Sequence, residues 1–348
     1  ACILFAFMVF GCPWLFNLMV DSEVIYSKSL EYIDYRSWGV FASYVGVAIV
    51  ALYTGVARPV FIVYDAILLI VINIILNYVL IFGHFGFPEM GIAGAGLAST
   101  IAEYVAIIAF FIYMLLDSEN KKYQLFRLPE FDFELIKTQF KIGAPIVAQA
   151  VVSLGSWFIF FGIVENIGER ELAMTNLARM VYLILSIPCW GYATGINTIV
   201  SNVIGQGKLK RVEIAIWKTA KLCWATTMIF AIPILFFPEV FLYPLLGSED
   251  MSLVTDTRPI FYILFIILTF FCIGGIYFNG LAGTGATFAG LKIQLVSAVV
   301  YIGYIYLTIN VLQTGLLVAW FAEVIYWIIM LVITMWYVRR RSWERLRF

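Results

Sequence analysis

Apolar runs about twenty residues long recur ten times in this chain, at roughly 1–19, 37–57, 60–82, 92–116, 140–164, 174–200, 214–238, 258–280, 286–309 and 315–338. A helix of about 20 residues crosses the hydrocarbon layer of a bilayer. Backbone amides in lipid find no water, so a spanning segment must satisfy them internally, as a helix or a closed barrel does. Barrel strands are about half this length and alternate apolar with polar residues; these runs do neither. The expected fold is all-α, a polytopic transmembrane helical bundle. Composition agrees: 63% of the residues are hydrophobic and 13% charged, whereas soluble domains run near half and a quarter.

Basic residues gather in alternate joints. Arg58, the group from Lys121 to Lys141, the group from Lys208 to Lys221, Lys292 and the tail from Arg339 to Arg347 fall on one side. Only Lys28, Arg36, Arg170 and Arg258 fall on the other, beside the acidic joints around Asp21, Glu165 and Glu239. Lys and Arg stay cytoplasmic in membrane proteins, and a miscounted span would scramble the pattern. Both visible ends are thus expected on the cytoplasmic side of a bacterial inner (cell) membrane. The 22 basic and 22 acidic residues cancel, and with no basic face the chain is not expected to bind nucleic acid. Cys2, Cys12, Cys189, Cys223 and Cys272 lie inside apolar runs without metal-ligand spacing and read as small buried hydrophobes.

The opening ACILFAFMVFGCPWLF has no basic residue ahead of its apolar core, which argues against a signal peptide and for a span already in progress. The joint from Asp117 to Lys141 is the longest; its Phe131, Phe133, Leu135 and Ile136 among charges suggest an amphipathic linker helix on the membrane surface. The expected organisation is an incomplete first lobe at 1–116, a cytoplasmic linker at 117–139, a six-span lobe at 140–338 and a basic tail at 339–348. An internal repeat accounts for the unequal halves. PWLFNLMVDSE (Pro13 to Glu23) resembles PEVFLYPLLGSE (Pro238 to Glu249), Gly55 with Arg58-Pro59 falls where Gly283 to Thr287 falls, and Ala102-Glu103-Tyr104 matches Ala322-Glu323-Val324. On this alignment the chain is expected to be truncated at its N-terminus, with about two and a half spans missing.

NIILNYVLIFGHFGFPEMGIAGAGLAST (Asn73 to Thr100), GINTIVSNVIGQGK (Gly195 to Lys208) and NGLAGTGAT (Asn279 to Thr287) resemble segments of the multidrug and toxic compound extrusion (MATE) family, and the resemblance extends over the whole chain. It implies twelve helices in two pseudo-symmetric six-helix lobes, ten of them visible here, a cavity between the lobes, and rocking alternating-access export of drugs by antiport with Na⁺ or H⁺. In the family's first lobe an Asn and an Asp four residues apart, a hydroxyl in the next helix and an Asp in the first helix surround a proton or sodium site. The matching residues here are Asn73, Asn77 and Ser99, so the Asp is replaced by an amide and the first helix has no counterpart. Second-lobe acidic positions of the family match Ser153 and Phe270.

Asn73 and Asn77 share a helix face; their oxygens with that of Ser99 suit sodium, or the three hydrogen-bond neighbouring helices. Glu103, four residues after Ser99, joins them as a cation-site candidate. Glu103 and Glu323 are carboxylates at membrane depth, where the cost of about 2.5 kcal/mol or more drives them toward a cavity or a partner; they exchange protons or tie helices together. Asp65 and Lys292, near span ends, are expected to snorkel or make helix-end contacts, and Arg179 to pair with Glu165 or another outer carboxylate. Gln149, Trp157, Asn176, Asn279 and Glu323 are candidates for lining a substrate cavity, whose aromatic character suits amphipathic organic cations. No cofactor is expected beyond the coupling ion, and the chain is expected to act as a monomer on small molecules within membrane lipid. A related lipid-linked sugar flippase is the alternative, but it needs a basic cavity. A membrane enzyme would need a His cluster, an Asp pair or a Ser–Lys dyad within the spans, and there is none.

Overall fold

The computed structural model describes residues 1–19, 22–56, 58, 60–117, 120, 123, 125, 131–246 and 251–345. Its described regular structure is helical. Among the described residues nine helices are long and apolar enough to cross a membrane, and Cys2–Leu18 is a shorter apolar helix. The ten expected runs all lie on these helices. The chain divides into two compact units, Ala1–Glu130 and Phe131–Phe348.

The first unit opens with α1 (Cys2–Ala6), which passes through a π-helical turn at Phe7–Gly11 into α2 (Cys12–Met19). Three long helices follow: α3 (Glu23–Gly55), α4 (Val60–Phe82) and α5 (Gly91–Leu116). α5 packs along both α3 and α4, which scarcely touch each other. Its sequence explains why. Gly94, Ala98, Ala102 and Ala106 recur every fourth residue and are buried, a small-residue stripe that lets backbones approach when no hydrophobic effect drives helices together in lipid. A Cβ on Gly94 would stand 2.6 Å from the Leu80 carbonyl oxygen of α4, and one on Gly96 2.7 Å from that of Tyr32 in α3. Beyond the stripe, Ile49, Tyr53, Phe110 and Met114 form a small core. Arg58 and Asp117 close that end with an ion pair at 2.5 Å.

The second unit holds α6 (Phe133–Glu165), α7 (Glu169–Gly205), α8 (Val212–Phe236), α9 (Pro238–Leu246), α10 (Met251–Gly283), α11 (Thr287–Tyr306) and α12 (Leu316–Arg339). From Pro259 onward α10 carries no charged residue, and the helix packs against α7, α8 and α12, as a helix at the centre of a bundle must. α7 ends in a left-handed cap: Gly207 has φ +72°, and the amides of Gly207 and Lys208 donate back to Ile204 and Val203, as expected for a C-terminal glycine. Gly283 permits close approach, because a Cβ there would meet the Asn197 carbonyl oxygen at 2.5 Å.

The repeat is visible within each unit. A short helix opening near a proline (α2, α9) precedes a 33-residue helix (α3, α10). In each unit the last helix of the triplet packs on both earlier ones while those two barely meet. Two expectations change. Residues 133–139 are no separate surface helix but the first turns of α6, begun by the Asp132 carboxylate accepting from the Leu135 amide at 3.0 Å; part of the expected linker, including 126–130, lies outside the described residues. In the tail, Arg339 still belongs to α12, and Trp343 is buried, its indole N–H donating to the Val338 carbonyl at 3.2 Å.

Candidate functional site

In the first unit Asn73, Asn77 and Ser99 meet across α4 and α5. Asn73 Nδ2 donates to Ser99 Oγ at 3.2 Å, and Asn77 Nδ2 donates to Asn73 Oδ1 at 2.9 Å. The chain ends on Asn77 Oδ1, which is buried without a hydrogen-bond partner. One amide oxygen is thus left free for an incoming donor or cation.

Glu103 does not join that group. Its oxygens accept from Arg36 at 2.9 Å and 2.7 Å, a two-pronged pair in the geometry guanidinium favours. Both partners are largely buried, with 25% and 18% of the side chains exposed. The Arg36 fork lies against Gly39, where any side chain would collide with it, and the Thr100 hydroxyl beside it donates to the Tyr35 carbonyl. The sequence placed Arg36 in an outer joint because it precedes the apolar run. α3 begins at Glu23, however, and carries Arg36 along the flank of α5.

In the second unit Glu323 is 4% exposed and is the one charged residue among the buried described residues. It faces a cavity of about 50 Å³ lined by Ser153, Ser156, Trp157, Tyr182, Tyr301, Glu323, Tyr326 and Trp327, and among the described residues no lysine, arginine or histidine is in that wall. Hydroxyls and indoles surround the space. Trp327 Nε1 donates to the Tyr182 hydroxyl at 3.1 Å, and Gln294 Nε2 donates to Tyr326 and Ser153 at 2.6 and 2.8 Å. The buried Tyr301 hydroxyl has no hydrogen-bond partner. Trp157 stacks near-parallel on Tyr182, ring centres 6.0 Å apart.

Of the expected cavity residues, the structure therefore brings Trp157 and Glu323 together and not the others. Gln149 is buried elsewhere, donating to the Thr287 carbonyl at 2.9 Å. Asn279 donates to the Gly275 carbonyl on its own helix, and Asn176 is exposed on α7. Arg179 stacks over the Phe161 ring at 4.9 Å instead of pairing with Glu165, and Lys292 lies over Phe288. Asp65 borders an apolar cavity of about 190 Å³ with Phe61, Phe110 and Tyr113, one of its oxygens buried and unpartnered.

The repeat relates the two polar spots differently from the motif match. Ser99 is the ninth residue of α5 and Glu323 the eighth of α12; Asn73 is the fourteenth of α4 and Tyr301 the fifteenth of α11. Glu323 thus stands within one residue of the place of Ser99, and five residues from that of Glu103. The Arg36–Glu103 pair has an apolar counterpart: Leu264 holds the fourteenth place of α10 as Arg36 does of α3, and Ile328 the thirteenth of α12 as Glu103 does of α5.

Residues 145–307 match the MatE family model. The chain is 28% identical over 232 residues to a probable multidrug resistance protein NorM of Rhodopseudomonas palustris, a match covering 65% of this chain and 48% of the relative. It is 29% identical over 205 residues to a protein of the same description from Photorhabdus laumondii, covering 59% and 43%. The chain thus spans about half the length of the curated relatives it matches. Among solved structures it resembles a multidrug resistance MATE family transporter of the MOP superfamily in an outward-facing conformation, with TM-score 0.89 and 18% identity over 99% of this chain and 76% of the other. A MOP superfamily transporter from Pyrococcus furiosus gives TM-score 0.88 at 18% identity, covering 99% and 76%.

Proposed function

Because the chain belongs to the multidrug and toxic compound extrusion family, we propose that it serves secondary active export of amphipathic organic compounds, coupled to inward movement of Na⁺ or H⁺ by alternating access. It does so in the inner membrane, with the Lys/Arg-rich joints cytoplasmic. The observation that carries the coupling is Glu323. A carboxylate in a low-dielectric interior is neutralised, by a proton or by a cation, because its bare charge costs several kcal/mol there. No basic side chain lines its cavity, so the neutralising charge comes from outside the protein. A space of about 50 Å³ admits a proton carrier or a dehydrated alkali ion and excludes a drug. Glu323 accordingly serves the coupling ion and not the substrate. The Asn73–Asn77–Ser99 group, at the same level of the repeat, is a neutral companion that holds a cation only weakly.

Proteoliposomes holding the complete gene product, loaded with a fluorescent organic cation, test this under imposed Na⁺ or H⁺ gradients. Glu323→Gln, fixed in the neutral form, should lose at least about tenfold of the gradient-driven rate, as expected for removal of a group worth about 1.4 kcal/mol or more to the coupled step. Asn77→Ala should weaken ion dependence less. An unchanged response to both gradients in Glu323→Gln would place coupling elsewhere.

A further inference from the structure

α7, α8 and α10 pack pairwise against one another in the second unit, and each sends a cysteine to their junction. Cys189, Cys223 and Cys272 are at most 1% exposed, and their sulfurs lie within 4.8 Å of one another. At least 34 residues separate them in sequence, so no spacing motif announces them. The Thr227 hydroxyl, one turn beyond Cys223 and beside the sulfurs of Cys223 and Cys272, is fully buried and has no hydrogen-bond partner.

We propose that these three thiols form a binding site for a trivalent thiophilic metalloid, as arsenous acid presents it. Geometry admits a soft central atom: at about 2.3 Å from each sulfur, as in zinc thiolates, it spans S···S separations up to about 4.6 Å, and a slight closing of the junction suffices. Charge selects among soft atoms. Thiolates take Cu(I) and Zn readily, but three thiolates on Zn²⁺ leave one negative charge and on Cu⁺ two. No lysine or arginine is buried among the described residues to offset either, and charge at membrane depth is costly. Three thiolates on As(III) leave none. In the step, three S–H and three As–O bonds break and three As–S bonds form. Each thiol proton departs with one hydroxide as water, and no atom changes oxidation state. The neutral adduct is at home in an apolar core and ties three helices together.

The probe is arsenous acid, added to the reduced protein in lipid nanodiscs. Mass spectrometry of the intact chain should show one arsenic gained and three hydrogens lost, and the melting temperature should rise, because the ligand binds only the folded junction. Cys189→Ala, Cys223→Ala and Cys272→Ala should each weaken binding at least about tenfold, while Cys2→Ala with Cys12→Ala should leave it unchanged. Size-exclusion profiles and melting without arsenic establish that each variant folds; Cys272→Val, closer in volume, replaces any alanine variant that does not. Excess Zn²⁺ should fail to displace arsenic. Absence of the adduct in the folded wild type, its persistence in all three single variants, or displacement by Zn²⁺ would each overturn the proposal.

Discussion

At the residue scale, two carboxylates of the same type meet opposite fates. Glu103 is neutralised from within by Arg36, and Glu323 has no such partner in its cavity wall. Removing one member of a buried pair leaves the other uncompensated, at about 3–5 kcal/mol for a fully buried pair; with a fifth to a quarter of these side chains exposed, on the order of 2 kcal/mol is expected. Glu103→Ala should therefore lower thermal stability sharply, and the double variant Arg36→Met/Glu103→Leu should regain most of the loss, since Leu264 and Ile328 already fill the corresponding places in the second unit. Melting curves of the single and double variants in one detergent decide it. A double variant no more stable than the single would mean that the pair does more than cancel charge. Part of this was legible in the sequence: the four-residue spacing of Asn73 and Asn77 did bring them together, with Ser99. The partner of Glu103 was not legible, because Arg36 lies on another helix and ahead of its apolar run. The meeting of three cysteines from three helices is hidden for the same reason.

At the scale of elements, hydropathy located the helices and misjudged their lengths. α3, α6, α7 and α10 have 33 to 37 residues, about 50 Å or more at 1.5 Å per residue, against a hydrocarbon layer of about 30 Å. Turns beyond the lipid are helical but polar, so an apolar window cannot see them; Glu23 to Arg36 is lost that way, and Phe133 to Gln139 reads as a separate linker helix. The repeat suffered a related slip. Apolar helices repeat their small and large residues every three or four positions, so an Ala-Glu match slides by a turn at little cost and set Glu323 against Glu103. What fixes the register is backbone contact at glycine. Gly94→Ala forces a methyl onto the Leu80 carbonyl, and Gly283→Ala onto that of Asn197. Neither neighbour is a side-chain tip that swings aside. Each should cost about 1–3 kcal/mol, as overpacking does, while Gly303→Ala on α11, with nothing within 4 Å, should be neutral or slightly stabilising through helix propensity. Thermal unfolding of the three variants ranks them, and equal melting temperatures would refute the close-contact account.

At the scale of the whole molecule, membrane orientation follows from charge and helix count together. The proposed sidedness puts the Lys208 joint between α7 and α8 and the Arg340 end of α12 in the cytoplasm, because Lys and Arg resist translocation. Every span between reverses direction, so Asn166 after α6 and Gln313 before α12 must then face outside. On that assignment the ion pairs Arg170 with Asp256 and Arg258 with Glu239 would lie at outer helix ends and Arg58 with Asp117 at an inner one. Burial simplifies the measurement. Cys12, Cys189, Cys223 and Cys272 are buried and Cys2 is exposed, so Cys2→Ala leaves a background almost silent to a membrane-impermeant maleimide. On that background Asn166→Cys and Gln313→Cys should label in intact cells, and Lys208→Cys and Arg340→Cys only in inverted vesicles. All four positions are exposed, so failure to react cannot be blamed on packing. If Lys208→Cys labels from outside, the positive-inside assignment is reversed. If Asn166→Cys and Lys208→Cys label from the same side, α7 does not span, and its 37 residues must be accounted for otherwise.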